Sequence, residues 1–109
     1  GLSPDPMPEQ AIFTRSDHYN FVKKGVPSVF VMTGFTSKTE GEDGGKVWGE
    51  FFANHYHKPT DSLDLPINYD AAKMFADVNI RIALTVANQA ERPYWLEDSF
   101  FGQTFAPKN

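Results

Sequence analysis

The sequence contains no cysteine, which removes disulfides and thiolate ligands from consideration and leaves the redox compartment open. It has no apolar run approaching the about eighteen residues that a bilayer-spanning helix needs, so no membrane span is expected. It lacks any block of Lys or Arg, and its ten basic residues stand against fourteen acidic ones for a net charge of −4. That balance argues against a nucleic-acid partner and against an anionic membrane surface. No internal repeat and no second domain are visible, and 109 residues set an expectation of one domain with a modest core. The chain also lacks an initial Met and a leader-like start, which reads as a processed or shortened chain whose targeting signal is out of view. Aromatics, by contrast, are plentiful. Ten Phe and 40% hydrophobic residues mark a folded chain, not a disordered one.

Residues 1–10 carry three prolines and read as a linker or arm, because proline removes donors and favours extended backbone. Ala11–Thr14 reads as a short strand or extended lead-in. Ser16 is the expected N-cap of a brief helix from Asp17 to Lys24, with Asp17 at its positive end and Gly25 as its stop. Val26-Pro27 leads into Ser28–Thr33, a continuous apolar run of the kind found in strands covered on both faces. Residues 34–46 form a glycine-rich excursion with an acidic cluster, Glu40, Glu42 and Asp43, simplest read as solvated. A long helix is expected from about Tyr69 to Gln89, with Asn68 as N-cap. Phe75, Val78, Ile82 and Val86 make one apolar stripe on it, which assigns it to scaffold. Residues 91–109 form an aromatic tail, broken by Pro, Gly and charges, that wraps a surface.

Chemistry concentrates at Asn54–Asp61. Two imidazoles (His55, His57), a phenol (Tyr56) and a carboxylate (Asp61) fall within it. Neutral imidazole is a common zinc ligand, and its second nitrogen usually needs a carboxylate or carbonyl partner. Pro59 crowds Lys58 out of the α region, so the histidines sit on an irregular loop, where site residues are often presented. One His-x-His-x-x-x-Asp run is a weak metal signal, and a loop with two solvated histidines is the equally open reading. For Ser16-Asp17-His18 two readings likewise stand: a helix start with a packed or solvated His18, or a turn that shapes a substrate pocket.

Arg15-Ser16-Asp17-His18 with Phe21, then Gly25-Val26-Pro27, the apolar run, Thr33-Gly34 and Tyr56-His57-Lys58-Pro59-Thr60-Asp61 occur in this order. Together they resemble the C-terminal part of the co-catalytic di-zinc aminopeptidases, metallopeptidase family 28, over roughly residues 11–90. The resemblance implies a three-layer α/β/α sandwich with a mostly parallel sheet and a zinc pair at the strand ends, of which this chain would be the C-terminal portion. It implies that His57 matches the last of five protein ligands to two zincs. Tyr56 matches the tyrosine whose hydroxyl helps hold the oxyanion of the tetrahedral intermediate. Asp61 becomes a partner for the His57 ring or the loop backbone, and Ser16, Asp17 and His18 become pocket residues. His55 is one residue off the ligand position.

The remaining ligands and the general base have no counterpart in this sequence, and one imidazole cannot hold a catalytic zinc. The expectation is therefore a zinc exopeptidase acting on peptides as a full-length protein, with this chain inactive alone. By analogy with bacterial relatives it would be secreted or periplasmic. A strand stripped of neighbours leaves edges that invite pairing with another chain, so the chain is expected either to pack as a symmetric or swapped oligomer or to be a piece excised from a folded parent. Three other readings stand beside it. They are a non-catalytic binding protein on the same fold, a one-zinc glutaminyl-cyclase-type acyltransferase (which favours Trp where Tyr56 stands), and a small metal module through His55, His57 and Asp61.

Overall fold

The computed structural model describes residues 2–37 and 40–107. Gly1 of the expected arm, Lys38 and Thr39 of the glycine-rich loop, and Lys108 and Asn109 of the tail lie outside the described residues. The chain divides into two compact units, Gly1–Pro6 with Met32–Val78 and Met7–Val31 with Asn79–Asn109.

The described residues hold four α-helices, α1 (Tyr19–Val22), α2 (Gly44–Asn54), α3 (Tyr69–Asn88) and α4 (Phe100–Phe105), and two 3-10 turns, Pro8–Gln10 and Ile12–Thr14. No strand occurs among them; the β structure is a single antiparallel bridge between Thr36 and Asp43. The expected α/β/α sandwich with a mostly parallel sheet is therefore wrong for this chain. A strand is stable only when its backbone groups pair with a neighbour. Ser28–Thr33 finds none, because the other apolar stretches of the sequence are committed to α2, α3 and the tail. Its residues fall in no helix or strand, with Val29 66% and Phe30 38% exposed. Ala11–Thr14 departs too. Ala11 takes a left-handed φ of 49°, and Ile12–Thr14 winds into a 3-10 turn closed by the Thr14 hydroxyl donating to the Ala11 carbonyl at 2.8 Å.

In the second unit the helix around Tyr19 is shorter at its start than expected. Its N-cap is His18 in right-handed helical conformation, and no side chain caps it. Ser16 and Asp17 contribute only their carbonyls, to Tyr19 N–H and Asn20 N–H at 3.1 Å each. The helix also ends two residues before the expected Lys24, at Val22, but Gly25 closes it as expected. Gly25 has a φ of 83°, its N–H bonds to Val22 O at 2.8 Å, and Val26 N–H reaches Phe21 O at 3.1 Å. That is the double closure of a Schellman cap. Val22 is fully buried beneath it and is the one buried hydrophobic residue among those described.

In the first unit α2 begins at Asp43, whose carboxylate accepts from Lys46 N–H at 3.1 Å. α3 starts as expected, Asn68 Oδ1 accepting from Ala71 N–H at 3.0 Å. Its apolar stripe is only partly covered: Val78 and Ile82 are half-buried, while Val86 is 46% and Leu84 57% exposed, and no α3 residue is buried. The accessible surface, 9326 Å², exceeds the roughly 6,100 Å² that mass scaling gives for a folded monomer of this size. Large apolar side chains are among those left uncovered, Leu63 at 85% and Leu2 at 78% exposure the most so.

Candidate functional site

α2 carries the candidate site at its C-terminal end. Trp48, Phe52 and Tyr56 follow each other at four-residue spacing, so their rings line one side of the helix and its exit. The Trp48 and Phe52 centroids are 5.3 Å apart, those of Phe52 and Tyr56 4.9 Å. This row holds Tyr56, which is half-buried. His55 and Tyr56 both direct their N–H groups to the Phe51 carbonyl, at 2.8 and 3.0 Å. The chain then turns sharply. His57 adopts a left-handed φ of 56° and lays its imidazole on the Tyr56 ring, centroids 3.8 Å apart and planes within 21°.

The turn is tied to the helix it leaves. The Lys58 ammonium donates to the Ala53 carbonyl, and the Thr60 hydroxyl donates to Asn54 O at 3.0 Å. Both bonds satisfy carbonyls that a helix end leaves without partners, and the lysine charge complements the negative end of the dipole. Lys58 N–H to His55 O at 2.9 Å and Asp61 N–H to Lys58 O at 3.0 Å complete the turn. Asp61 thus helps shape the loop through its backbone, and its carboxylate makes neither a hydrogen bond nor an ion pair with the His57 ring.

Among the described residues neither the Tyr56 hydroxyl nor the His57 imidazole has a hydrogen-bond partner. The pair offers a phenolic O–H donor and an exposed imidazole to a ligand. His55 differs: it is half-buried against Phe51, and its Nδ1 is buried with no partner.

Ser16, Asp17 and His18 fall in the second unit. Ser16 and Asp17 are exposed. His18 is packed: Phe13 meets it edge-on at 4.8 Å, Phe30 stacks on it at 4.8 Å with planes 9° apart, and its Nε2 is buried without a partner.

Zinc can be tested against these residues. A catalytic zinc needs about three protein donors and an open position. No group of three or more His, Cys, Asp or Glu among the described residues is arranged to hold a metal. The described residues therefore do not make a zinc site by themselves; His57 offers a single imidazole. No described helix is long and apolar enough to cross a membrane.

The sequence reading missed α2. Its signal was present in Asp43 as a cap and in Val47, Trp48, Phe51, Phe52 and Tyr56 at helical spacing. Gly44, Gly45 and Gly49 masked it.

Comparison with curated proteins gives no match, and comparison with solved structures gives none either. A family model described as Peptidase family M28 matches residues 1–83. That match spans most of the chain, from the segment before Ser16 through the Tyr56-His57 turn into α3, and the chain belongs to peptidase family M28.

Proposed function

We propose that the chain is the C-terminal portion of the catalytic domain of a zinc-dependent aminopeptidase, with His57 as one metal ligand and Tyr56 as the oxyanion donor. Membership of a peptidase family supports peptide-bond hydrolysis as the reaction class and peptides as the substrates. The observation that carries the finer reading is the Tyr56-His57 pair. A left-handed, non-glycine residue is uncommon and costs backbone energy. Here it aims an unclaimed imidazole beside an unclaimed phenol.

When bound, zinc would supply Lewis acidity and an activated water; its further donors must come from outside this set of residues. This chain's own contribution is positional. α2 and the Lys58 and Thr60 bonds fix the turn, the Trp48–Phe52–Tyr56 row holds the phenol, and the Tyr56 O–H donates to the carbonyl oxygen as it takes on charge. A donor of that kind is worth about 10²–10³ in kcat. The uncovered apolar surface of Val29, Phe30 and α3 supports the view that this chain packs against a further part of the protein.

The test uses the protein as its gene encodes it, assayed for zinc content and for hydrolysis of an aminoacyl-nitroanilide. Tyr56→Phe should keep the zinc and lower kcat by about 10²-fold, with KM little changed. His57→Ala should lose metal. Full zinc occupancy in His57→Ala, or full kcat in Tyr56→Phe, would refute the roles given to them.

A further inference from the structure

Residues 93–107 reach back onto the segment 13–25, and all the residues involved belong to one compact unit. The Trp95 indole N–H donates to Gly25 O at 3.0 Å. The Phe101 ring lies 4.8 Å from Phe13 and 6.1 Å from Tyr19, and Phe105 lies 6.4 Å from Tyr19. Phe13 in turn meets the His18 ring. A continuous row of contacts thus runs from the tail to an imidazole whose Nε2 is buried and unpartnered.

One glycine makes the docking this close, and a second lets the tail pack on itself. A methyl group on Gly25 would stand 2.8 Å from Phe105 O, and one on Gly102 would stand 2.5 Å from Trp95 Cβ. Neither distance is sterically possible without movement. α4 has six residues, too few to hold a helix in isolation, so its order depends on this docking. Ser99, whose hydroxyl accepts from Gly102 N–H at 3.2 Å, caps it locally. The tail lies beyond residue 83, where the family match ends, and its role rests on these contacts alone.

We infer that residues 93–107 are a strap: docked on the Gly25 turn, it presses Phe13 onto the His18 ring and so keeps Nε2 enclosed, and released, it opens that nitrogen to solvent or ligand. The anchoring is light, since Tyr94 is 76% and Phe100 71% exposed, which puts the strap among the elements of a fold that open most readily. A buried imidazole nitrogen without a partner is a polar group held at a cost, and release removes that cost. The strap therefore sets whether a potential hydrogen-bonding and ligating nitrogen is available.

The experiment is acylation of the histidines by diethylpyrocarbonate, read residue by residue by peptide mass spectrometry. It compares the 109-residue chain with Gly102→Ala and Trp95→Phe. Gly102→Ala forces the indole aside while raising the helix propensity of α4, and Trp95→Phe deletes the indole donor while keeping an aromatic ring, a smaller one, beside Phe101. Exposed His57, in the other unit, is the internal reference. In the unaltered chain His18 should react at least about tenfold more slowly than His57, as opening-limited protection dictates. Trp95→Phe should speed it about fivefold, the factor carried by one hydrogen bond. Gly102→Ala should bring it close to the His57 rate. Equal rates for His18 and His57 in the unaltered chain would overturn the inference. So would unchanged His18 protection in Gly102→Ala when its Trp emission has shifted to the red. Should Gly102→Ala lose its helical circular dichroism, Trp95→Phe decides alone, and an unchanged His18 rate there refutes the strap.

Discussion

The indole N–H of Trp95 bonds to the carbonyl of Gly25 at 3.0 Å, across seventy positions of sequence. It lands on the residue that terminates α1 in a left-handed conformation, so one glycine serves two purposes. Its φ of 83° closes the helix, and its bare Cα lets the tail backbone approach.

Gly25→Ala should therefore be costly on both counts. A Cβ at this φ costs about 1–2 kcal/mol, and the clash with Phe105 O adds overpacking of about 1–3 kcal/mol. The expected total exceeds about 2 kcal/mol, large beside the stability of a small domain. Urea unfolding followed by Trp fluorescence reports it; a midpoint within experimental scatter of the unaltered chain would show that the turn relaxes freely.

Gly49→Ala should act in the opposite direction. Gly49 lies inside α2, and a methyl group there meets nothing within 4 Å. Alanine in an unstrained helix interior is favoured over glycine by about 0.5–1 kcal/mol. Thermal melting by circular dichroism should rise by a few degrees. A fall would mean that the exposed side of α2 is covered in solution.

These glycines also mark where the sequence was legible. Gly25 read correctly as a helix stop because a left-handed cap is a local requirement, visible in one residue. α3 was legible for the same reason: Asn68 and the three-and-four spacing from Phe75 onward are local signals. α2 was hidden because Gly44, Gly45 and Gly49 lower helix propensity, and the compensating contacts among Trp48, Phe52 and Tyr56 appear only once the helix exists. The strand expected at Ser28–Thr33 failed for a different reason. Strand propensity describes a half-buried, paired surface, and the partner that would complete it is not a property of the segment. Ser16 failed as a cap because the residue that flanks α1, His18, has helical backbone angles, whereas a capping side chain needs an extended one. The Tyr56-His57 turn was legible through Pro59 and the family resemblance. Its left-handed His57 was not, since no local rule puts a histidine there.

Asp43→Ala and Asn68→Ala remove side chains that accept first-turn N–H groups of α2 and α3, at 3.1 and 3.0 Å. Each should cost about 1 kcal/mol. The two differ in consequence. Fraying α2 loosens the helix that ends in Tyr56 and His57, so Asp43→Ala should also speed hydrogen exchange at His55 and Tyr56 N–H, both bonded to Phe51 O. Asn68→Ala should leave those amides unchanged. Equal exchange at both amides in the two variants would detach the turn from the integrity of α2.

His57 gives the sharpest separation of stability from function. Its left-handed backbone is a conformation glycine adopts freely and alanine does not. His57→Ala and His57→Gly both lose the ring and its stacking on Tyr56, so their difference isolates the backbone. His57→Gly should be about 1 kcal/mol more stable than His57→Ala. Neither variant offers an imidazole, so if His57 is the proposed ligand both should lose zinc to the same extent. Equal melting temperatures would mean that the turn does not impose this conformation. Greater stability of the glycine variant with equal loss of metal would show that a strained residue is retained here for its side chain, since the backbone alone would favour glycine.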